Sequence, residues 1–307
     1  MILLYHKNPH ESYGGVEYLI KQILYSLKNS EFCANPFKIT TNTSVVLFNS
    51  YTFPNVFYLF ILLIKRVNII WVPCFHDFDA QFGEQYSFKK SIKKFIFQKF
   101  IIPLVKKGAS KIIVFSENEK LIFINRYTFA KEIVQIAHVP ISENYRSGNC
   151  DKIYNAGFVG RWAKNKGTEI IEELVRAGRL DWIVSPQLPS DIKFLCDRNS
   201  VRLFEAPDDE NLIRLLQITK IIICPSKSES YGLVVPQALL CGANVIASNC
   251  PVIDSFDQTV LKSVKRITSE SEWYDEDLYT PYLNPKPDLR VSYIYPSITA
   301  VIANVCK

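Results

Sequence analysis

Apolar residues fall along this chain in two alternating spacings, and the alternation predicts the architecture. Continuous apolar runs at Ile2–His6, Asn68–Phe75, Lys111–Ser116, Lys220–Cys224 and Asn244–Ala247 read as strands buried on both faces. Shorter runs at Phe37–Thr41, Val45–Asn49, Ile133–Val139, Ile153–Val159, Trp182–Val184 and Val201–Phe204 read the same way. Between them the apolar positions shift to helical spacing: Val16, Leu19, Ile20, Ile23, Leu24 and Leu27 fall on one face of a Val16–Leu27 helix. Further helices are expected at Phe57–Lys65, Glu117–Tyr127, Thr168–Ala177, Asp191–Asp197, Asp209–Ile218 and Leu233–Cys241. A long helix over Ser87–Lys107 has to kink at Pro103, and the tail Asp288–Val305 reads as helical despite Pro296. Serial strand–helix units of this sort imply parallel sheets covered on both faces, an α/β architecture. The polar, aperiodic Ser142–Lys152 marks a boundary. The expectation is a first domain over residues 1–145, a second over 150–285, and a C-terminal helix within 286–307 that packs back on the first.

Composition narrows the class. At 307 residues, 48% hydrophobic and 21% charged, the chain can bury two cores. Its nearest approach to a membrane span, Val56–Ile64, stops at Lys65-Arg66, short of the ~20 apolar residues that crossing needs. Met1–Tyr5 is only strand-length and runs into His6-Lys7, so no signal peptide is read and a cytoplasmic protein is expected. The eight cysteines are scattered without a CxxC pair, which favours reduced thiols over disulfides or zinc. Four histidines at 6, 10, 76 and 138 assemble no hydrolase triad. Absence of GxGxxG argues against a dinucleotide cofactor, and absence of a basic recognition module argues against nucleic acid.

Charge is unevenly shared. Residues 1–150 hold 18 Lys and Arg against 10 Asp and Glu, while residues 151–307 hold 18 against 20. Much of the surplus lies in Ser87–Lys111, where lysines alternate with Phe88, Ile92, Phe95, Phe97 and Phe100. That pattern fits either a domain helix with solvated lysines or peripheral contact with an anionic membrane.

The segment Cys224–Asp254 concentrates the candidate chemistry. A buried strand ends at Cys224, a polar loop Pro225–Gly232 follows, and a helix resumes at Leu233 before Gly242 stops it. Ligands of open parallel sheets bind beyond the strand C-termini. Glu229 and the amides of Ser230, Tyr231, Gly232 and Leu233 are therefore placed at such a crevice, as an anion site with a carboxylate beside it. A second feature, Gly157–Gly167, ends a strand at Gly160 and carries Arg161 and Lys166 at the turn into the next helix. Two cations there would neutralise a diphosphate and stabilise it as a leaving group. Near the N-terminus, Gly14-Gly15-Val16-Glu17 opens a helix after the first strand, His76-Asp77 ends another strand, and Ser116 stands either at a strand end or as a helix N-cap.

Together these residues resemble glycosyltransferase family 4, retaining nucleotide-sugar-dependent enzymes of the GT-B fold. Pro225, Ser226, Glu229, Tyr231, Gly232, Leu233, Ala238, Cys241 and Gly242 match the donor-binding signature; position 237, where the family has a second Glu, is Gln. The resemblance is strong over Tyr154–Asp254, moderate at Gly14–Glu17 and Phe75–Ser116, and weak after Asp257. It implies two Rossmann-like domains with parallel sheets facing a central cleft. It further implies a metal-independent hexosyltransferase that needs no cofactor beyond its nucleotide-diphosphate-sugar substrate. In the carry-over, Arg161 and Lys166 grip the diphosphate, Glu229 contacts the transferred sugar, Gln237 meets the ribose, and His76 with Gly14 and Gly15 lines the cleft. The acceptor would be a growing surface polysaccharide such as a lipopolysaccharide O-antigen, or a lipid-linked saccharide, at the inner face of the cell membrane. The competing expectation is a catalytically silent GT-B-like subunit that binds sugar or lipid, or scaffolds a partner.

Overall fold

The computed structural model describes residues 1–5, 15–48, 53–74, 88–205, 207–229, 231–250, 253–254, 256, 258–275, 278 and 296–305. The chain divides into two units, Met1–Pro140 with Tyr295–Lys307, and Ile141–Ile294.

The first unit is built on β1 (Ile2–Leu4), β2 (Glu31–Cys33), β3 (Ser44–Phe48), β4 (Asn68–Val72), β5 (Ala109–Val114) and β6 (Val134–Ile136). They pair in the order β2-β1-β3-β4-β5-β6, every pairing parallel. Val45–Phe48 and Ile69–Val72 are fully buried, as strands covered on both faces must be. Trp71 anchors the core, with the rings of Phe97 and Phe123 6.2 Å and 5.6 Å away. The expected Ser87–Lys107 helix is real but interrupted: α-helix over Phe88–Ile96, π-helix over Phe97–Ile101, then α-helix over Ile102–Gly108. Pro103 supplies no N–H to the helix, so the ladder is offset around it rather than broken. A second π segment, Ile122–Arg126, closes the Glu117–Leu121 helix.

Two expectations fail here. Phe37–Thr41 is not a strand; Pro36–Lys38 forms a 3₁₀ turn capped by Asn35, and the edge strand is β2 upstream of it. Proline at the first turn position fixes φ and favours that turn over a ladder. Of the expected tail helix, Ile298–Val305 is helical and Pro296 stands outside it, having no N–H to give; residues 288–295 lie outside the described residues. The tail instead joins the first unit through the sheet edge: His138 N–H donates to Pro296 O at 2.9 Å and Ile298 N–H to His138 O at 2.8 Å. The first unit's main segment ends at Pro140, and Tyr145 is buried in the second unit.

The second unit holds β7 (Tyr154–Val159), β8 (Trp182–Val184), β9 (Arg202–Phe204), β10 (Thr219–Cys224), β11 (Asn244–Ser248) and β12 (Val264–Ile267). Their order is β12-β11-β10-β7-β8-β9, again wholly parallel. Edge strand β12, with polar Lys265 and Arg266, gave no apolar run to betray it. Gly157 pairs with Trp182 across β7 and β8, and any side chain on Gly157 would overlap the indole. The indole Nε1–H donates to Thr219 Oγ1 at 3.0 Å, and that hydroxyl donates to Leu215 O at 2.6 Å, so the largest core ring leaves no buried donor unpaired.

Candidate functional site

In the second unit the chain works outward from β7 to β9, then returns to the other side of β7 as β10. Loops leaving β7 and β10 therefore diverge at adjacent strand ends, the crevice where open α/β sheets take ligands. The two strongest sequence features are these two loops.

They interlock through backbone. After Gly160, whose N–H donates to Val184 O at 3.0 Å, the first loop winds into a 3₁₀ turn over Lys164–Lys166. Gly167 ends it at φ +68°, a left-handed conformation, and a methyl group there would overlap the Pro225 carbonyl oxygen of the other loop. Only glycine meets both conditions. The Lys227 N–H then donates to Asn165 O at 2.9 Å, and the Lys227 ammonium pairs with Glu169 in the helix beyond.

This interlock brings Lys166 and Glu229 together. Their side chains form an ion pair, each 17% exposed, and buried Ser226 donates its Oγ–H to the same Glu229 Oε1 at 2.6 Å. A partly buried carboxylate held by an ammonium and a hydroxyl is worth more than a surface ion pair, since hydrogen bonds to charged groups contribute about 1.5–3 kcal/mol. Behind the pair, burial pushes the Cys224 thiol up to about 12; the charge of Glu229 adds to this and Lys166 opposes it. Cys224 is therefore a neutral wall of the site, not a nucleophile.

A cavity of about 20 Å³ lies between Phe158, Cys224, Ser226, Glu229, Gly232 and Cys250, large enough for one water. A larger ligand does not fit inside it. Along the same strand ends, Trp162, Pro186, Gln187, Leu188, Lys193 and Glu205 line an open hollow of about 470 Å³. Lys193 and Glu205 pair at its edge, and the Trp162 ring stands against Phe158 at 6.4 Å.

Of the residues expected at the site, the structure brings together Lys166, Glu229 and Gly232. Gly160 follows β7, and Arg161 is exposed beside it with no hydrogen bond or ion pair among the described residues. Tyr231 is buried, Leu233 caps the helix, and that helix, Val234–Leu240, has only seven residues. Gln237 is buried within it and lines neither hollow. Gly15 begins the Gly15–Ser26 helix of the first unit; Gly14, His76 and Ser230 lie outside the described residues. Ser116 proves to be an N-cap, accepting from the Glu119 N–H at 3.2 Å. Sequence reasoning missed that Ser226 holds Glu229 and that Gly167 and Asn165 join the loops. A small residue three positions before the carboxylate was the available signal for Ser226. Among the described residues no group of three or more His, Cys, Asp and Glu gathers, and no helix is long and apolar enough to cross a membrane.

A search of curated protein sequences finds no match. The sequence model of the family described as Glycosyl transferases group 1 matches residues 190–256, which include Glu229 and its loop. Among solved structures, sucrose-phosphate synthase from Thermosynechococcus elongatus superposes with a TM-score of 0.68 at 14% identity, covering 93% of this chain and 91% of that one. HepE from Anabaena, in complex with UDP-glucose, gives 0.67 at 14% identity over 91% and 88%. WaaG, a glycosyltransferase involved in lipopolysaccharide biosynthesis, gives 0.64 at 12% identity over 89% and 88%. Two six-stranded parallel sheets matched over nearly their whole length to these structures give the chain an α/β fold of the GT-B class.

Proposed function

We propose that the chain is a retaining, metal-independent hexosyltransferase that moves a sugar from a nucleotide-diphosphate donor to a growing surface polysaccharide or lipid-linked saccharide. The observation that carries this reading is the Lys166–Glu229 pair, fixed by two interlocked loops at the strand-order reversal of the second unit. The donor's diphosphate docks on Lys166 and Arg161, and the hollow beside Trp162 is of a size to take the nucleoside. Phosphate oxygens compete with Glu229 for the Lys166 ammonium. As the pair parts, Glu229 turns its oxygens to the sugar hydroxyls, with Ser226 still holding one of them. The bond from the anomeric carbon to the phosphate oxygen breaks while that from the same carbon to the acceptor oxygen forms on the same face. The acceptor's proton passes to the departing phosphate, so no separate protein base takes part, and the lysine and arginine charges do the work a divalent ion would otherwise do.

Three likenesses support the reading. The family match covers the Glu229 loop, HepE was solved with UDP-glucose, and WaaG acts in lipopolysaccharide biosynthesis. His76, Gly14 and Gly15 are proposed as further donor-binding residues from their match to the family motifs. In this reading the enzyme works in the cytoplasm at the inner face of the membrane, where lipid-linked acceptors are met. The test is release of nucleoside diphosphate from a panel of nucleotide sugars, with and without lipid-linked acceptor and with and without a metal chelator. Turnover unaffected by chelator is expected, and no turnover with any donor would sink the proposal. Gln237, buried where the family signature has a second Glu, favours one competing reading, a catalytically silent sugar-binding subunit. That reading expects nucleotide-sugar binding by calorimetry without turnover.

A further inference from the structure

Lysine side chains ordinarily lay their stems on the protein and hold the ammonium in water. Lys152, just before β7, inverts that arrangement. The residue is half-buried, yet the enclosed part is its Nζ, which is shut off from solvent and finds no hydrogen-bond partner among the described residues. The side chain reaches to the end of the Val234–Leu240 helix, where Gly242 turns the chain at φ +77°. Nζ lies 3.8 Å from the point that a Gly242 Cβ would occupy, and Ser147 Cβ lies 3.4 Å from the same point.

The titratable groups that act on Lys152 are two thiols, Cys241 beside Gly242 and Cys150 on its own segment. Burial pushes the Cys241 thiol up to about 12, so it carries no charge that could hold an ammonium at neutral pH. Desolvation accordingly brings Lys152 down to about 8, although the two thiols oppose the shift. At about pH 7.4 roughly one Lys152 in five is then free amine, about 250 times the fraction in an ordinary lysine. A weaker base is also a weaker nucleophile. With a dependence like that of thiols this takes back about tenfold, which leaves a net advantage of about 25-fold.

Cys150 is exposed and stands two residues before Lys152. Their Cα atoms are at most about 7 Å apart, a gap that the flexible lysine stem spans. Swinging Nζ toward the thiol breaks no hydrogen bond among the described residues.

We propose that Cys150 and Lys152 form a relay that takes an acyl group from a soluble acyl thioester and fixes it on the Lys152 amine. In the first step the Cys150 sulfur attacks the thioester carbonyl. A carbon–sulfur bond forms to Cys150 as the one to the carrier breaks, and the carrier thiol leaves with the proton that Cys150 gives up. In the second, the Lys152 nitrogen attacks the new thioester. The amide bond forms, the bond to Cys150 breaks, and a proton passes from nitrogen to the Cys150 sulfur. Nothing is oxidised or reduced, and the product is a neutral side chain in place of a buried, unpaired charge. The relay does not depend on sugar transfer: a chain without transferase activity would still be acylated, and an active chain that stayed unmodified would refute the relay alone.

The test is incubation of the full chain with about 0.1 mM acetyl-coenzyme A, following each lysine by peptide mass spectrometry. Lys152 should be acetylated about 25-fold faster than the median exposed lysine. Because the nucleophile is the deprotonated amine, its rate should climb with pH and stop rising by about pH 9, while exposed lysines go on gaining toward about 10.4. Cys150→Ser should slow Lys152 about tenfold and leave the other lysines unchanged, since a tethered donor acts at millimolar effective concentration. Lys152→Met, which removes the unpaired charge and keeps the bulk, should accumulate a hydroxylamine-sensitive acetyl thioester on Cys150. Acetylation of Lys152 no faster than that of exposed lysines, an unchanged rate in Cys150→Ser, or no thioester in Lys152→Met would each overturn the proposal.

Discussion

The two units share one construction and use their strand-end carboxylates in opposite ways. In the second, Glu229 sits at a turn between strand and helix, partly open, and is held by Lys166 and Ser226. In the first, Glu119 sits at the equivalent kind of turn after β5 but is buried, with no cation paired to it among the described residues. Its Oε2 accepts the Phe115 N–H at 2.7 Å, and desolvation outweighs that bond to push its carboxyl up to about 8. The same strand-to-helix grammar thus produces a charged group ready to exchange partners in one place and a neutral internal brace in the other. Whether a cation reaches the turn decides which.

Substitutions can break that contrast or sharpen it. The largest effect on activity is expected from Lys166→Ala or Glu229→Ala, which should each lower kcat/KM about 10²–10³-fold and, by leaving the partner unpaired, lower Tm by a few degrees. Full activity in either variant would end the assignment of the pair to chemistry. Gly167→Ala should fail differently. With strain at positive φ added to overlap on the Pro225 carbonyl, it should destabilise the second unit by about 3 kcal/mol and take activity down with it, as followed by urea unfolding.

Glu119 supplies the opposite signature. Its folded pKa of about 8 lies above the ordinary value of 4.5, so the folded state holds a proton that the unfolded chain releases. Stability should therefore be full below about pH 4.5 and decline as pH rises toward about 8, by on the order of a few kcal/mol. Glu119→Gln keeps an acceptor for the Phe115 N–H and should flatten the fall in Tm across that range without changing turnover at a fixed pH. A pH-independent wild-type Tm over the same interval would contradict the buried-brace role. The smallest change is expected at Ser226. Ser226→Ala removes one hydrogen bond from Glu229 and should cost about tenfold in kcat, close to 1.4 kcal/mol, with Ser226→Thr restoring part of it.

Much of the fold was legible because parallel strands buried on both faces advertise themselves as unbroken apolar runs. β4, β8, β10 and β11 were found within a few residues on that basis. Strands β2 and β12 were missed because they lie at sheet edges, where Glu31, Lys265 and Arg266 face water and no run exists. At the site, Lys166 and Glu229 were legible as residues in the right loops, but their pairing was not. It depends on the crossover that returns the chain to the far side of β7, and on the missing side chain of Gly167, neither of which has a local signature.

The interlock also orders events in time. Lys166 and Glu229 are separated by 63 positions in the chain. A ribosome adding roughly 5–20 residues per second delivers the second about 3–13 s after the first. For all but the last few residues of that interval β7, central in the finished sheet, lacks β10 on one side, and the Lys166 loop has no Pro225 carbonyl to nest against. On the proposed reading the donor site can therefore form only once the second unit is nearly whole, and a nascent chain interrupted before residue 229 should not bind sugar nucleotide. Nucleotide binding by a nascent chain would then report a completed unit.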